Sequence, residues 1–242
     1  MKNMKKNYFI TILCMCMGLF TNAQQDVFHK SDSGTGDWGS ANLPWYYGTS
    51  NNNQGDPDNG NNTRNFVKIG HNNDLTMTTN GRFYIFASLD FQAGASSART
   101  INNTGGGLSG SIGIYNLSSA THIFNTPIGI DAATVQLWAN STGGFTFNDF
   151  IYINANTVEF GGTGTGNISV TGTMQGTGNV TKTGTNSLTI SGTNTYSGAT
   201  TVSAGTLVLN SSAANSAFTV NSGIMNPSTD LSLSLRVLYK FS

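Results

Sequence analysis

Apolar and polar residues alternate along most of the chain from Phe66 onward. Short alternating segments are separated by turns rich in Gly and Asn, and typical examples are GSIGIYN, TVQLWAN, FIYIN, NISVTGT and GTLVLN. Alternation with a period of two is the pattern of β-strands, and no comparable stretch repeats apolar residues at intervals of three and four. The pattern therefore predicts an all-β protein with no helix in the mature chain.

The predicted strands recur at a nearly constant interval. Five apolar positions are spaced evenly along the chain: Phe66, Leu89, Ile112, Val135 and Val158. A second series begins with the same spacing, which then becomes shorter toward the C-terminus: Phe145, Ile168, Leu188 and Leu207. Coils of about 20–23 residues leave room for short strands but not for a helix, which favours a parallel β-helix.

The predicted core is a column of stacked apolar side chains, one or two from each coil. We assign to it Leu89, Ile112, Val135, Val158, Ile168, Leu188 and Leu207. An antiparallel β-sandwich is the alternative fold. It is disfavoured because the turns contain few of the two-residue Asn-Gly or Asp-Gly sequences that close hairpins.

The N-terminus has the order of a secretory signal peptide. Lys2, Lys5 and Lys6 precede an apolar run at 8–20, and a small-residue cleavage site ends at Ala23. The run is shorter than the roughly 20 apolar residues that span a bilayer, so no transmembrane helix is expected in the mature chain. Both cysteines lie inside the signal peptide, which excludes disulfides and cysteine-based zinc sites from the mature protein.

Residues 24–65 are expected to form an N-terminal cap followed by a polar loop. The aromatic residues assigned to this cap are Trp38, Trp45, Tyr46 and Tyr47. An open β-helix end exposes unpaired backbone groups, so a cap there would prevent aggregation. The alternative is that these four aromatic side chains are exposed and contact glycans.

Charge and motifs give no sign of catalysis or of a cofactor. The 11 basic and 11 acidic residues balance, which excludes the basic surface that nucleic acids require. Two GxGxxG matches lack the following helix of a dinucleotide site, and the oxygens at 56–60 lack the spacing of an EF-hand. Threonine pairs of the T-x-T type start at irregular intervals, which disfavours a hydroxyl lattice for ice or glycans. We expect no metal, no cofactor and no enzymatic activity.

Individual charged residues are expected at the surface. Stacking at the coil interval places Glu159 between Gln136 and Lys182, so Glu159 and Lys182 are predicted to form a surface ion pair. His29, His71 and His122 share no local motif, and each is predicted to lie in a turn or at the surface. Tyr196 is predicted to pack in a turn, with contact to a ligand as the alternative.

The segment at 176–212 resembles the autotransporter-associated β-strand repeat, also called the passenger-associated transport repeat. The matching features are GNVTKTG at 178–184, LTISGTNTYSG at 188–198 and TTVSAGTLVLN at 200–210. The resemblance implies a right-handed parallel β-helix in a secreted or surface protein of a Gram-negative bacterium, whose repeat assists export or folding. It implies no enzymatic activity.

The expected organisation is a signal peptide at 1–23, the cap and loop at 24–65, a β-helix at 66–221 and an atypical C-terminal tail at 222–242, whose shortness suggests truncation. The expected function is a structural or adhesive passenger, associated with the outer membrane. Its expected partners are the outer-membrane export machinery and surface glycans or other cell-surface proteins. A carbohydrate-binding or polysaccharide-degrading β-helix is the alternative.

Overall fold

A computed structural model describes residues 26–29, 34–37, 45–47, 65–70, 75–79, 83–211, 216–227 and 237–239. In these ranges the chain forms β-strands and no helix. The strands are β1 (Asp26–His29), β2 (Gly34–Asp37), β3 (Trp45–Tyr47), β4 (Asn65–Ile69), β5 (Leu75–Thr78), β6 (Phe83–Phe91), β7 (Arg99–Asn102), β8 (Gly107–Asn116), β9 (His122–Asn125), β10 (Ile128–Ile130), β11 (Thr134–Ala139), β12 (Phe145–Phe147), β13 (Ile151–Asn154), β14 (Thr157–Gly161), β15 (Ile168–Val170), β16 (Met174–Gly176), β17 (Asn179–Lys182), β18 (Ser187–Ile190), β19 (Thr200–Val202), β20 (Thr206–Leu209), β21 (Phe218–Val220), β22 (Ile224–Pro227) and β23 (Val237–Tyr239).

The strands stack into a parallel β-solenoid of about six turns. The first sheet runs in the order β23-β21-β19-β17-β14-β11-β8-β6-β4-β1-β3, with β10, β13 and β16 as a side branch that joins at β8. The second sheet runs β2-β5-β7-β9-β12-β15-β18-β20-β22. Within the described ranges, every strand pairing is parallel except that of β1 with β3, so the predicted parallel β-helix is confirmed and the antiparallel sandwich is excluded.

The second sheet confirms the coil intervals read from the sequence. Phe145 pairs with Ile168, Ile168 with Leu188, and Leu188 with Leu207. All four side chains are buried. The shortening of the coils toward the C-terminus is therefore a structural property of the solenoid.

The predicted register of the first sheet is wrong in its N-terminal coils. Leu89 pairs with Val67 and with Ile114, while Ile112, assigned to the core, is 41% exposed. The cause is two irregularities in strand pairing, one between Asn65 and Phe66 and one between Phe86 and Ser88. Each changes the residue count of a coil, and a shift of one position reverses which side chains face the core.

Several inward columns form the core, and two of them run along most of the solenoid. The first sheet contributes Val67, Leu89, Ile114, Leu137, Phe160, Lys182, Val202 and Val220, in stacking order. The second sheet contributes Ile101, Phe124, Phe147, Val170, Ile190 and Leu209. Phe124 and Phe147 stack with ring centroids 5.0 Å apart. Burial of each large apolar side chain stabilises the fold by about 1.5–3 kcal/mol.

Polar side chains also repeat from coil to coil at the edge of the second sheet. Asn125 donates from Nδ2 to Oδ1 of Asn102 over 2.8 Å, and Asn148 donates in the same way to Asn125. The Thr171 hydroxyl then donates to Oδ1 of Asn148 over 2.6 Å. We call these four residues the asparagine ladder. It satisfies amide groups at successive turns of the solenoid.

The two ends of the described chain extend the same sheets. β1 pairs in parallel with β4, β2 pairs with β5, and β3 lies antiparallel to β1 at the end of the first sheet. β22 and β23, in the segment expected to be a tail, pair in parallel with β20 and β21. The signal peptide and much of the expected cap lie outside the described residues, so both stay predictions.

Candidate functional site

The outward side chains of the first sheet bring aromatic and acidic groups together on neighbouring coils. In one row, Asp90 pairs with Tyr115 and Tyr115 with Trp138. In the adjacent row, Gln136 pairs with Glu159. We call these five residues the aromatic patch. Strand neighbours lie about 4.8 Å apart, so the patch extends over about 14 Å along the solenoid axis.

The two rings of the patch lie edge to face, and the Tyr115 ring packs on the backbone of Gly113. Tyr115 and Trp138 have centroids 6.1 Å apart and planes at 83°, an edge-to-face arrangement. Both side chains remain partly exposed. A Cβ added at Gly113 would lie 2.9 Å from Cζ and from the hydroxyl of Tyr115. The Tyr115 ring therefore lies over Gly113, where any larger residue would displace it.

Hydrogen bonds fix the polar groups of the patch. The Tyr115 hydroxyl donates to Oε1 of Gln136 over 2.6 Å, and Nε1 of Trp138 donates to Oε1 of Glu159 over 3.1 Å. The hydroxyl of Thr183 donates to the same Glu159 oxygen over 2.9 Å. Both rings are thus tied to polar side chains on the next coil, which preorganises the surface.

The charged groups near Tyr115 are negative. Burial raises the pKa of the Tyr115 phenol to about 12, and the negative charges of Asp90 and Glu159 act in the same direction. The phenol therefore keeps its proton at neutral pH and remains a hydrogen-bond donor.

The predicted surface pair between Glu159 and Lys182 is wrong. Lys182 is fully buried, in the core column between Phe160 and Val202. Its Nζ donates to the carbonyl oxygens of Thr183 and Gly184, the latter over 3.0 Å, and to Oδ1 of Asn186 over 2.9 Å. Burial lowers the pKa of Lys182 to about 8.

The predicted surface position of His122 is also wrong, since the ring is fully buried beneath the second sheet. Nδ1 of His122 accepts a hydrogen bond from the backbone amide of Arg99 over 3.1 Å, and Nε2 lies 2.9 Å from the Ser118 hydroxyl. An accepting Nδ1 carries no proton, so the proton of the neutral ring is on Nε2. The ring stacks on Phe91 at 3.9 Å. Burial, with a contribution from the Arg99 charge, lowers the pKa of His122 to about 3.

Arg99 lies next to His122 in the same inward row and is itself fully buried. Its Nη1 donates to the backbone oxygens of Ser97 and Ala98 over 2.9 and 3.3 Å. Like Lys182, it is bonded to backbone carbonyls inside the solenoid. These contacts identify both cations as structural.

The other expected site residues are placed only in part. Trp45, Tyr46 and Tyr47 form β3, of which the backbone alone is described, and Trp38 lies outside the described residues. His29 ends β1, again with only its backbone described, and His71 falls outside these ranges.

Metal-ligand clusters and membrane-spanning helices are both missing from the described part of the chain. Among its residues, no three His, Cys, Asp or Glu side chains form a group that could hold a metal ion. Within the same ranges, no helix is long and apolar enough to cross a membrane.

The repeat segment has an interior of its own that combines apolar and polar residues. Nδ2 of Asn186 donates to the carbonyl oxygens of Gly161 and Gly166 on the preceding coil, over 3.1 and 2.8 Å. Tyr196 is fully buried, and its hydroxyl lies 2.6 Å from that of Thr200, which confirms the prediction of a packed aromatic. The Thr200 hydroxyl lies 2.7 Å from that of Ser216 on the following coil. Buried hydrogen bonds therefore connect this segment to the coils on both sides.

Comparison with protein families found one match, which falls on this segment. Residues 180–209 match the model of the passenger-associated transport repeat, as the sequence motifs had predicted. The matched residues begin in β17 and end in β20, so they form successive coils of the solenoid. Neither the curated proteins nor the solved structures gave a match to the chain. The repeat and the parallel β-solenoid together are consistent with a protein of the autotransporter-passenger type.

Proposed function

We propose that this protein is a secreted or cell-surface passenger of a Gram-negative bacterium, with a structural or adhesive role. In this proposal the repeat at 180–209 assists export or folding of the solenoid. The observation that carries the proposal is the family match, because the matched residues coincide with successive coils near the C-terminal end of the described solenoid. The expected partner during export is the outer-membrane export machinery.

The structure of the repeat suggests how it would assist folding. Its coils are shorter than those before it, because the stacked residues Lys182 and Val202 are closer in sequence than the stacked residues Leu137 and Phe160. The shorter coils lower the entropy cost of closure by only about 0.1 kcal/mol each. The buried hydrogen bonds that join this segment to the coils on both sides are what would favour its early formation. A segment that folds first would then act as a template on which the preceding coils stack.

Two matched core substitutions test this role. Leu207, inside the repeat, and Leu137, outside it, are both fully buried leucines of the core. Replacement of either by Ala should destabilise the purified protein by about 2–5 kcal/mol. The proposal predicts that Leu207→Ala lowers the amount of protein at the cell surface or in the medium several-fold more than Leu137→Ala does. Equal export of two variants with equal melting temperatures would contradict a specific role of the repeat.

We further propose that the protein is not an enzyme. A polysaccharide-degrading β-helix requires acid and base groups placed on either side of a bound sugar. In the described coils, the cross-strand neighbours of Glu159 are Gln136 and Thr181, neither of which is an acid or a base that could act with it. Purified protein should release no reducing ends and no unsaturated sugars from neutral or acidic polysaccharides. Release of either product would overturn this part of the proposal.

A further inference from the structure

We propose that the aromatic patch, formed by Asp90, Tyr115, Gln136, Trp138 and Glu159, binds a neutral glycan. A pyranose ring has an apolar face of C–H groups and an edge of hydroxyl groups. A surface that recognises it therefore needs an aromatic ring beside fixed hydrogen-bonding groups. The described solenoid brings both together on the outer face of its first sheet.

The aromatic part of the patch is rigid and accessible. Tyr115 and Trp138 lie on adjacent strands in direct register, with their rings edge to face and both partly exposed. The hydrogen bond from Trp138 to Glu159 fixes the orientation of the indole. A ring fixed before binding loses little conformational entropy when a sugar stacks on it.

The polar part of the patch retains hydrogen-bonding capacity. A carboxylate offers about four acceptor positions, and the donors Trp138 and Thr183 both reach the same oxygen of Glu159. The Gln136 side chain accepts from Tyr115 through Oε1, which directs its amide nitrogen elsewhere as a donor. The surface therefore offers acceptors and donors to sugar hydroxyls beside the rings.

The charge of the patch selects the class of glycan. Asp90 is the cross-strand partner of Tyr115, and Glu159 accepts a hydrogen bond from Trp138, so two carboxylates lie around the rings. Lys68 pairs with Asp90 in the register of the sheet, at the N-terminal end of the row. The negative charges near the rings would repel uronic acids and sulfated sugars, which leaves neutral glycans as the ligands that fit.

Binding of a neutral glycan would supply the target of the adhesive role proposed above, so its biological meaning rests on that proposed function. Binding is measured on purified protein, whereas export is measured in cells. Failure of one proposal is therefore distinguishable from failure of the other.

The experiment is affinity electrophoresis of the purified protein in native gels that contain laminarin, galactomannan or xyloglucan, with polygalacturonate and alginate as acidic probes. At least one neutral polysaccharide should retard the protein. Trp138→Ala should weaken that retardation at least tenfold, and Glu159→Gln and Tyr115→Phe should weaken it less. Thermal unfolding of each variant establishes that it is folded. If Trp138→Ala does not fold, Trp138→Phe is used in its place.

Phe150→Ala is the matched control. Phe150 is 40% exposed and stacks on Tyr152 with centroids 5.6 Å apart, so it belongs to a second surface aromatic pair outside the patch. Its removal should leave the retardation within about twofold of the wild type. The proposal is overturned if no neutral polysaccharide retards the protein, if only the acidic ones do, or if Phe150→Ala weakens binding as much as Trp138→Ala. In any of these cases the two rings are a cross-strand packing pair only.

Discussion

Glu159 and Lys182 lie on adjacent coils of the first sheet but on opposite faces of it. Glu159 pairs with Thr181 and bonds to outward side chains, whereas Lys182 pairs with Phe160 and is fully buried. The coil that runs from Phe160 to Lys182 is shorter by a single residue than the coil before it. Side chains alternate between the two faces of a strand, so a coil that is one residue shorter places Lys182 in the core and not beside Glu159 at the surface.

Replacement of Lys182 by Met should change how stability depends on pH. The folded-state pKa of Lys182 is about 8, below its ordinary value of 10.5. Between these values the unfolded chain holds a proton that the folded chain has released, so the stability of the wild type rises with pH across this window. The free energy of unfolding of the wild type, relative to Lys182→Met, should rise by about 1 kcal/mol per pH unit between about pH 8 and 10.5.

The measurement is urea-induced unfolding at several pH values, for both proteins. Tyrosine and surface lysine residues titrate in the same range in both, so the difference between the two proteins isolates Lys182. At pH 7 the variant should also be less stable than the wild type, since the carbonyl oxygens and Asn186 lose their donor. A difference that does not vary with pH would show that Lys182 is solvated in the folded protein.

An acidic residue at Val135 should unfold the solenoid. Val135 is fully buried, in register with Val158, so Val135→Asp places an unpaired carboxylate in the core. We expect a loss of more than about 4 kcal/mol, the range of the most severe substitutions. Thr134→Asp is the control, because Thr134 is the exposed residue immediately before it. Thermal unfolding should show a large decrease for Val135→Asp and little change for Thr134→Asp; similar melting temperatures would refute the inward orientation of Val135.

The sequence predicted the fold well because a solenoid repeats one local rule. Where the coil interval stays constant, as between Leu137 and Phe160, alternation alone assigns the buried positions. The assignment of buried positions was wrong where the number of residues per coil changes. The irregularity between Phe86 and Ser88 moved Ile112 out of the core, and the shortened coil moved Lys182 into it. A constant coil interval cannot predict a β-bulge, because a bulge depends on local backbone geometry.

The coil interval was sufficient to predict the aromatic patch, but it was not applied to the outward aromatic residues. Tyr115 and Trp138 are separated by the same interval as Gln136 and Glu159, and each pair lies in register. That interval, applied to outward positions, would have predicted the patch. Which of its groups bond to each other depends on side-chain rotamers, which the interval does not determine.

His122 should make the protein less stable as the pH falls. Its folded-state pKa is about 3, against 6.5 for an exposed imidazole. Below pH 6.5 the unfolded chain therefore binds a proton that the folded chain does not, and stability decreases until the pH approaches 3. His122→Phe keeps a ring against Phe91 but removes this titration. Between about pH 6.5 and 4 the wild type should lose about 3 kcal/mol relative to the variant.

Denaturant unfolding at a series of pH values tests this expectation. The carboxyl groups titrate in both proteins, so their contribution cancels in the difference. His122→Phe should be the less stable protein at pH 7, because the Arg99 amide and the Ser118 hydroxyl lose their partner. Parallel stability curves for the two proteins would mean that the folded and unfolded chains protonate His122 at the same pH.

The asparagine ladder should stabilise the stacking of coils through its central residue. Asn125 donates to Asn102 and accepts from Asn148, so Asn125→Ala removes two hydrogen bonds and leaves one amide group of each neighbour to solvent. Each such bond contributes about 0.5–1.5 kcal/mol, so we expect a loss of about 1–3 kcal/mol in the free energy of unfolding. Asn210→Ala is the control, because Asn210 is exposed and occupies the corresponding position after β20. It should change stability by less than about 0.5 kcal/mol. If both variants unfold at the same denaturant concentration as the wild type, water replaces the ladder without cost, and the coils are held by the apolar columns and the backbone alone.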